Sequence, residues 1–358
     1  MKTIEGFEHR VASHCETGSL GNMLRHSGME ISEPMVFGVG SGPSFYYLFF
    51  AKGPGGFPLL GLRNTPGSIV KNVAKACGIG LFFKKYRNTE CAMRKANELI
   101  NRGTPVAACV DMFYMKYLPG FLRVHAPFHF IVLIGREGDS YAVSDPYSNA
   151  IGELAADDLR AAWETNALFA KNNLVTFVTE TPKSVDWKRV TKDAIWRTCK
   201  AMLLPPVFNN IFSFVGVGGI RSYAKAIKSW PKKYSGSFLR EGILFSAICF
   251  EDQGTGGGAF RTMYSAFLQE VAEIHGSQEI DELAKRMFEH GQSWRGTSKE
   301  LVELGKKIPQ KNDEFAVWFG KHGKDLEQGL GEISSQFMKK AAFEERFFKD
   351  LSVAGKRL

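Results

Sequence analysis

Three residues whose types and order could do chemistry stand out in this 358-residue chain: Cys15, then His129, then Asp145. A cysteine attacks a carbonyl carbon as its thiolate, and a free thiol is mostly protonated at neutral pH. The unpaired N–H groups and dipole of a helix N-terminus favour the anion. Cys15 occupies such a place if the pattern from Glu16 to His26, ended by Gly28, is a helix. Position alone fits a buried cysteine near a helix cap equally well. His129 opens the apolar run FIVLIG, which reads as a strand. A turn at Gly138-Asp139 and a second run, SYAVSDP, then deliver Asp145 just before Pro146. Antiparallel neighbours joined by a short turn bring the start of one strand opposite the end of the next. His129 and Asp145 are therefore expected to meet, the carboxylate fixing the imidazole tautomer and the imidazole taking the thiol proton. Cysteine first on a helix, histidine much later on a sheet, then the orienting acid is the papain-type order.

Other histidines compete weakly. His14 adjoins Cys15 but points elsewhere from a neighbouring position, and His26 lies three helical turns away. His125 sits in the loop before the strand, without an evident acidic partner, and ranks second to His129 as a base. Each of His129 and Asp145 alone could be a satisfied core histidine or a turn aspartate before proline; the joint pattern with Cys15 favours chemistry.

The elements that must position these groups follow from the patterning. Ser68 to Gly78 and Glu90 to Arg102 read as helices, the second closed by Gly103. Segments 105–111, 129–135, 140–146 and 174–180 read as strands, and Asp157 to Thr165 as a further helix. Helices first and then an antiparallel sheet give an α+β domain over residues 1–182. Composition shifts around Thr181–Asp186. From 187 to 358 the patterns are mostly helical, at 187–203, 219–230, 237–250, 258–275, 279–291 and 296–307, with a charged, aromatic-rich segment at about 312–350. This second domain is expected to contribute to a substrate cleft. The aromatic segment Phe45–Phe50 reads as core.

Composition narrows the function classes. The six cysteines (15, 77, 91, 109, 199, 249) are scattered, without CxxC pairs or metal spacing, which suits a reduced, cytoplasmic chain. The N-terminal MKTIEGFEHR has acidic residues and a histidine where an apolar signal core would sit. The uncharged stretches Pro34 to Ala51 and Leu203 to Ile220 are broken by glycine, proline and asparagine, so neither reads as a membrane span. The formal charge of +9 comes from dispersed basic residues with no aromatic-interleaved stripe, so nucleic acid is not the expected partner. A merely solvated basic surface is the plainer reading of that balance, and an acidic carrier protein is the next partner to consider. The sequence does not fix the oligomeric state and is compatible with a homo-oligomer.

The stretches HCETGSLGNMLRHSGMEISEPMVFGVGSGPSFYYL (14–48), GTPVAACVDMFYMKYLP (103–119) and HFIVLIGREGDSYAVSDPY (129–147) resemble the family of butirosin-biosynthesis protein H. GVGGIRSYAKAIKSW (216–230) and GTGGGAFRTMYSAFLQEVA (254–272) resemble the helical domain that commonly follows in that family. The resemblance implies a papain-like cysteine-protease-type fold and a carrier-protein-dependent acyltransferase, its Cys, His and Asp falling on Cys15, His129 and Asp145. It implies transfer of an acyl group from the phosphopantetheine thioester of an acyl carrier protein, or from CoA, through acyl-Cys15 to a small-molecule amine in specialised metabolite biosynthesis. No bound cofactor and no metal are expected. The same geometry also resembles the papain-like leader peptidases of bacteriocin export, without the transporter portion that accompanies them. A cysteine amidase or peptidase on the same three residues and a non-catalytic binding protein retaining the fold are the alternatives. The Cys15 backbone N–H is the expected oxyanion donor. No glutamine shortly before Cys15 supplies a second, and Asn22 lies too far along the helix.

Further residues have two readings each. Glu33 is a helix cap or an acceptor for a substrate amine, and Asp111, ending a strand before an aromatic loop, is a second candidate for binding substrate. The Gly254-Thr255-Gly256-Gly257-Gly258 loop lacks the Walker lysine. It either packs a helix start closely against another element or shapes an acyl or phosphopantetheine pocket through Gly256 and Gly257, with Arg261 reading negative charge.

Overall fold

The computed structural model describes residues 1–165, 167–204, 214–252 and 254–358. In chain order they form α1 (Cys15–His26), α2 (Glu33–Val39), β1 (Pro43–Lys52), β2 (Pro58–Arg63), α3 (Ser68–Cys77), β3 (Gly80–Lys85), α4 (Thr89–Asn101) and β4 (Val106–Val110). Then come β5 (His129–Glu137), β6 (Ser140–Ser144), β7 (Gly152–Ala155), α5 (Ala156–Glu164) and β8 (Leu174–Glu180). The helices α6 (Trp187–Met202), α7 (Gly216–Ile227), α8 (Trp230–Lys233), α9 (Gly236–Glu251), α10 (Arg261–His275), α11 (Gln278–Lys306) and α12 (Asn312–Arg357) complete the chain. Part of the uncharged stretch Leu203 to Ile220, including Pro205, Pro206, Asn209 and Asn210, lies outside the described residues. Among the described residues no helix is long and apolar enough to cross a membrane.

The chain divides into two compact units. Met1–Gly40 and Thr65–Val190 make one; Ser41–Asn64 and Thr191–Leu358 make the other. The first is α+β. Its six strands pair antiparallel in the order β3-β8-β4-β5-β6-β7. One face carries the main core: Val106, Ala108, Val110, Ile131, Leu133, Val143 and Val175 meet Ala92, Met93, Ala96, Leu99 and Ile100 of α4 and Leu159, Ala162 and Trp163 of α5. The α4 residues recur at helical spacing, which is why this segment is a helix with one buried side. Asn88 caps its start by accepting from Cys91 N at 2.9 Å. Its end is a Schellman closure, Thr104 N to Leu99 O and Gly103 N to Ile100 O, both 2.9 Å. Each fully buried large side chain here contributes about 1.5–3 kcal/mol, and Trp163 also satisfies its indole by donating to Leu174 O at 3.0 Å. The opposite face presents Cys109, Phe130 and Leu174 to Cys15 of α1.

The domain boundary differs from the expected 1–182 and 187–358. The division falls inside α6, and the β1–β2 hairpin belongs with the helices of the second unit. The reason is aromatic packing: Phe45 lies 6.1 Å from Tyr223 and 5.9 Å from Trp294, and Tyr47 lies 5.4 Å from Tyr223, centroid to centroid. The core reading of Phe45–Phe50 holds for Phe45 and Tyr47, whereas Phe49 and Phe50 are exposed. The expected break between 291 and 296 is also absent, since α11 runs unbroken from Gln278 to Lys306. Gly291 is tolerated in its middle because a Cβ there would stand 2.8 Å from Thr262 Cγ2, so the glycine admits the start of α10.

Candidate active site

Cys15 is the first residue of α1, with His14 at the N-cap in extended conformation. The chain before it is held by Glu33, whose carboxylate accepts from Ser13 N (3.0 Å), His14 N (2.8 Å) and Thr17 Oγ1 (2.9 Å). Glu33 thus fixes the turn that leads into Cys15. Glu16, fully buried beside Cys15, accepts from Val70 N at 3.2 Å and so ties α1 to the start of α3. Gly18 lets α1 approach the other half of the site, since a Cβ at that position would stand 2.8 Å from Pro146 Cβ and 2.5 Å from Ala12 Cβ.

The β5–β6 hairpin delivers the remaining two groups. Glu137 pairs with Ser140 across the turn, and a bulge between Leu133 and Gly135 shifts the register so that Val132 meets Ser144. One step further along, Asp145 stands diagonal to His129. His129 Nε2 donates to Asp145 Oδ2 at 2.8 Å, both residues being buried. Cys15 stands near enough to the same imidazole to raise its proton affinity. Sγ also lies 4.0 Å from the Phe128 carbonyl oxygen, and Tyr147 covers the imidazole with a ring centroid 4.9 Å away.

Burial by itself would strip the proton from His129. Asp145 and then Cys15 outweigh it and push the imidazole from its ordinary 6.5 up to about 10. Burial likewise opposes the Asp145 charge, yet His129, the Tyr147 backbone N–H (2.9 Å) and the Tyr117 hydroxyl (2.9 Å) hold it below the usual carboxylate range. The arrangement thus places an imidazole that holds its proton strongly between the Cys15 side chain and the Asp145 carboxylate.

Residues 14–146 match the family model described as butirosin biosynthesis protein H, N-terminal, and residues 157–351 match a domain of unknown function, DUF4872, over more than half of the chain. The chain belongs to the family of this second domain, which here follows a segment similar to butirosin biosynthesis protein H. The matched segment contains Cys15, His129 and Asp145, which the α+β unit carries at a helix start and on its antiparallel sheet. A solved structure described as a C39-like peptidase from Bacillus anthracis is 13% identical, with a TM-score of 0.36, covering 51% of this chain and all of that one. No curated protein matches.

Other candidates in the α+β unit fall elsewhere. Asp111 is buried and accepts from Phe113 N (3.2 Å), Ala126 N (2.9 Å) and His125 Nδ1 (2.9 Å). It closes the loop between β4 and β5, leaving little carboxylate for a substrate. His125 thus has the acidic partner that its sequence context did not reveal. Its imidazole is stacked on Phe113 at 4.2 Å and is exposed, unlike that of His129. Asn22 donates to Arg10 O (3.0 Å) and Ser144 Oγ (3.3 Å), bracing α1 against the end of β6.

In the DUF4872 part, the reading of the glycine loop as an anion pocket is corrected. Arg261 is buried and forms a bidentate pair with Glu344, both contacts 2.9 Å, with His290 Nε2 a further 3.0 Å from that carboxylate. Burial would raise Glu344, but Arg261 and His290 bring it down to about 2. The loop N–H groups are also used internally: Gly257 N donates to Thr255 Oγ1 and Gly258 N to Glu251 Oε2, both at 2.9 Å. The Gly256 carbonyl accepts from Arg295 at 3.2 Å. Gly258, at φ +61, would place a Cβ 2.6 Å from Gly291 O, so the glycines serve the close approach of α10 and α11. Among the described residues no cluster of three or more His, Cys, Asp or Glu could hold a metal ion.

Tyr117 and Tyr147, both touching the His129–Asp145 pair, were missed by sequence reasoning. Tyr147 carried a signal, two residues after Asp145 in an Asp-Pro turn. Tyr117 carried none beyond its place in an aromatic loop.

Proposed function

We propose that this protein is a cysteine-dependent acyltransferase that takes an acyl group from the phosphopantetheine thioester of an acyl carrier protein, or from CoA, and passes it to a small-molecule amine in specialised metabolite biosynthesis. The observation that carries the reading is the buried chain Cys15–His129–Asp145, with Cys15 at the first position of α1 and the imidazole protonated between its partners. Cys15 as thiolate attacks the thioester carbonyl, and the negative charge passes to the carbonyl oxygen, for which the Cys15 backbone N–H is a suitably placed donor at a helix start. Collapse breaks the carbon–sulfur bond to the donor, and the departing thiolate takes the proton of His129. The acceptor amine then attacks acyl-Cys15, neutral His129 takes its proton, and collapse returns the Cys15 thiolate and the amide. No bound cofactor or metal enters these steps.

The test is incubation with an acylated carrier protein, or with an N-acetylcysteamine thioester, followed by intact and peptide mass spectrometry. An acyl adduct on Cys15, lost in Cys15→Ala and His129→Ala and discharged by an amine, supports transfer. Discharge to free acid at the same rate with and without amine makes the protein a hydrolase. Absence of any adduct overturns the nucleophile assignment and leaves a binding protein.

A further inference from the structure

We infer that Tyr117 is a positioning residue of this site, its hydroxyl sharing Asp145 Oδ2 with His129 and so fixing the carboxylate that holds the imidazole. The inference rests on the reading of Cys15 and His129 given above. Three donors converge on one buried carboxylate: His129 Nε2 at 2.8 Å and the Tyr117 hydroxyl at 2.9 Å on Oδ2, and Tyr147 N at 2.9 Å on Oδ1. The first is the reacting base and the third is local backbone. Tyr117 comes from the loop between β4 and β5, 28 residues away, and no local geometry requires it to reach Asp145. Two features make the reach specific. The loop is pinned by Asp111, which binds His125 Nδ1 and Ala126 N. Gly152 of β7 seats the ring, since a Cβ there would stand 2.7 Å from Tyr117 Cγ. Burial first, and then Asp145, pushes the phenol well above its ordinary 10, which keeps it a donor throughout the working pH range.

The physical consequence is a tempered charge. A phenol O–H pointing at Oδ2 opposes part of the negative potential that His129 feels, so removing it strengthens the hold of Asp145 on the imidazolium proton. The titratable groups that face His129 are Cys15 from α1 and Asp145 beyond β6, with Tyr117 behind the latter; Tyr147 presents its ring.

Alkylation of Cys15 by iodoacetamide, followed by mass spectrometry from pH 5 to 11, reads this directly. The wild type should show a rise in rate as His129 loses its proton. Tyr117→Phe, which keeps the ring, is expected to move that rise upward by about one pH unit. Gly152→Ala keeps the tyrosine but dislodges its ring, and should move the rise the same way. A merely structural role would lower the melting temperature without moving that step. His129→Ala separates the two levels of the argument. If it leaves the profile of Cys15 unchanged, the reading of Cys15 and His129 falls, and Tyr117 with it. If His129→Ala abolishes the rise but Tyr117→Phe and Gly152→Ala both keep the wild-type profile, only the role of Tyr117 is overturned.

Discussion

Asp145→Asn isolates the charge at the centre of the site. Asparagine keeps the size of the side chain, and its one carbonyl oxygen can still accept from Tyr147 N while its amide nitrogen stands where Oδ2 met His129 and the Tyr117 hydroxyl, so it offers His129 no negative charge. His129 would then face burial with only Cys15 to oppose it, and its proton affinity should fall from about 10 toward or below the ordinary 6.5. At about 1.4 kcal/mol per pH unit, that gap corresponds to about 5 kcal/mol between the two protonation states. The sign follows from linkage. A histidine raised in the fold stabilises it fully below pH 6.5, and the contribution is lost as pH climbs through about 10. Asp145, held below its ordinary 3.8, contributes above that value and loses its contribution on acidification. The pair is therefore complete between these limits, and pH 5.5 is the place to look. Urea unfolding, with hydrogen exchange read on peptides from β5 and β6, measures the local stability. The wild type should exceed Asp145→Asn by about 3–5 kcal/mol at pH 5.5, by less at pH 7.5, and by little at pH 10.5. An equal gap at all three values would refute the ion pair as the source of stability and reduce Asp145 to a packing role.

Two further outcomes test the parts around the site. Glu33→Ala removes the acceptor of Ser13 N, His14 N and Thr17 Oγ1. It should cost about 1–2 kcal/mol in urea unfolding and slow Cys15 alkylation, whereas an unchanged alkylation rate would show that α1 presents Cys15 without its cap. In the second unit, Arg261→Met should cost about 3–5 kcal/mol because Glu344 is left charged and buried, and Arg261→Met with Glu344→Leu should recover most of it. A double variant as unstable as the single one would refute that account.

Local pattern made part of this legible. The helix that starts at Cys15, the hairpin that turns at Gly138-Asp139 and the meeting of His129 with Asp145 depend on short-range periodicity and on the two-residue side-chain alternation of strands. The boundaries of α4 and β8 follow from the same signals. What the sequence hid is long-range. The β1–β2 hairpin sits among the helices because Phe45 and Tyr47 pack on Tyr223 and Trp294, partners far away in the chain. The hydrogen bonds from Tyr117 to Asp145 and from His125 to Asp111 run through a loop whose path no periodicity encodes. The glycines at 256–258 illustrate ambiguity of a different kind. A permissive backbone can approach an anion or another helix, and only the positions of Glu251, Gly291 and Glu344 decide between them.

The charge balance at His129 also bears on how the proposed acyl-enzyme would turn over. Asp145 and Cys15 both support the His129 proton, and the proposed chemistry would remove one of them: a Cys15 sulfur that carries an acyl group has no charge to offer. Asp145 alone then has to hold the proton against burial, which is the moment when the departing thiolate must take it and the acceptor must later return one. A carboxylate with no other donors would grip the proton through both steps, and neutral His129, the base that the acceptor needs, would be scarce. Distributing the Asp145 charge over His129, Tyr117 and the Tyr147 backbone weakens that grip without loosening the geometry. On this view the hydroxyl of Tyr117 matters more to discharge of the acyl-enzyme than to its formation. Tyr117→Phe should therefore accumulate acyl-Cys15, where loss of His129 prevents it from forming.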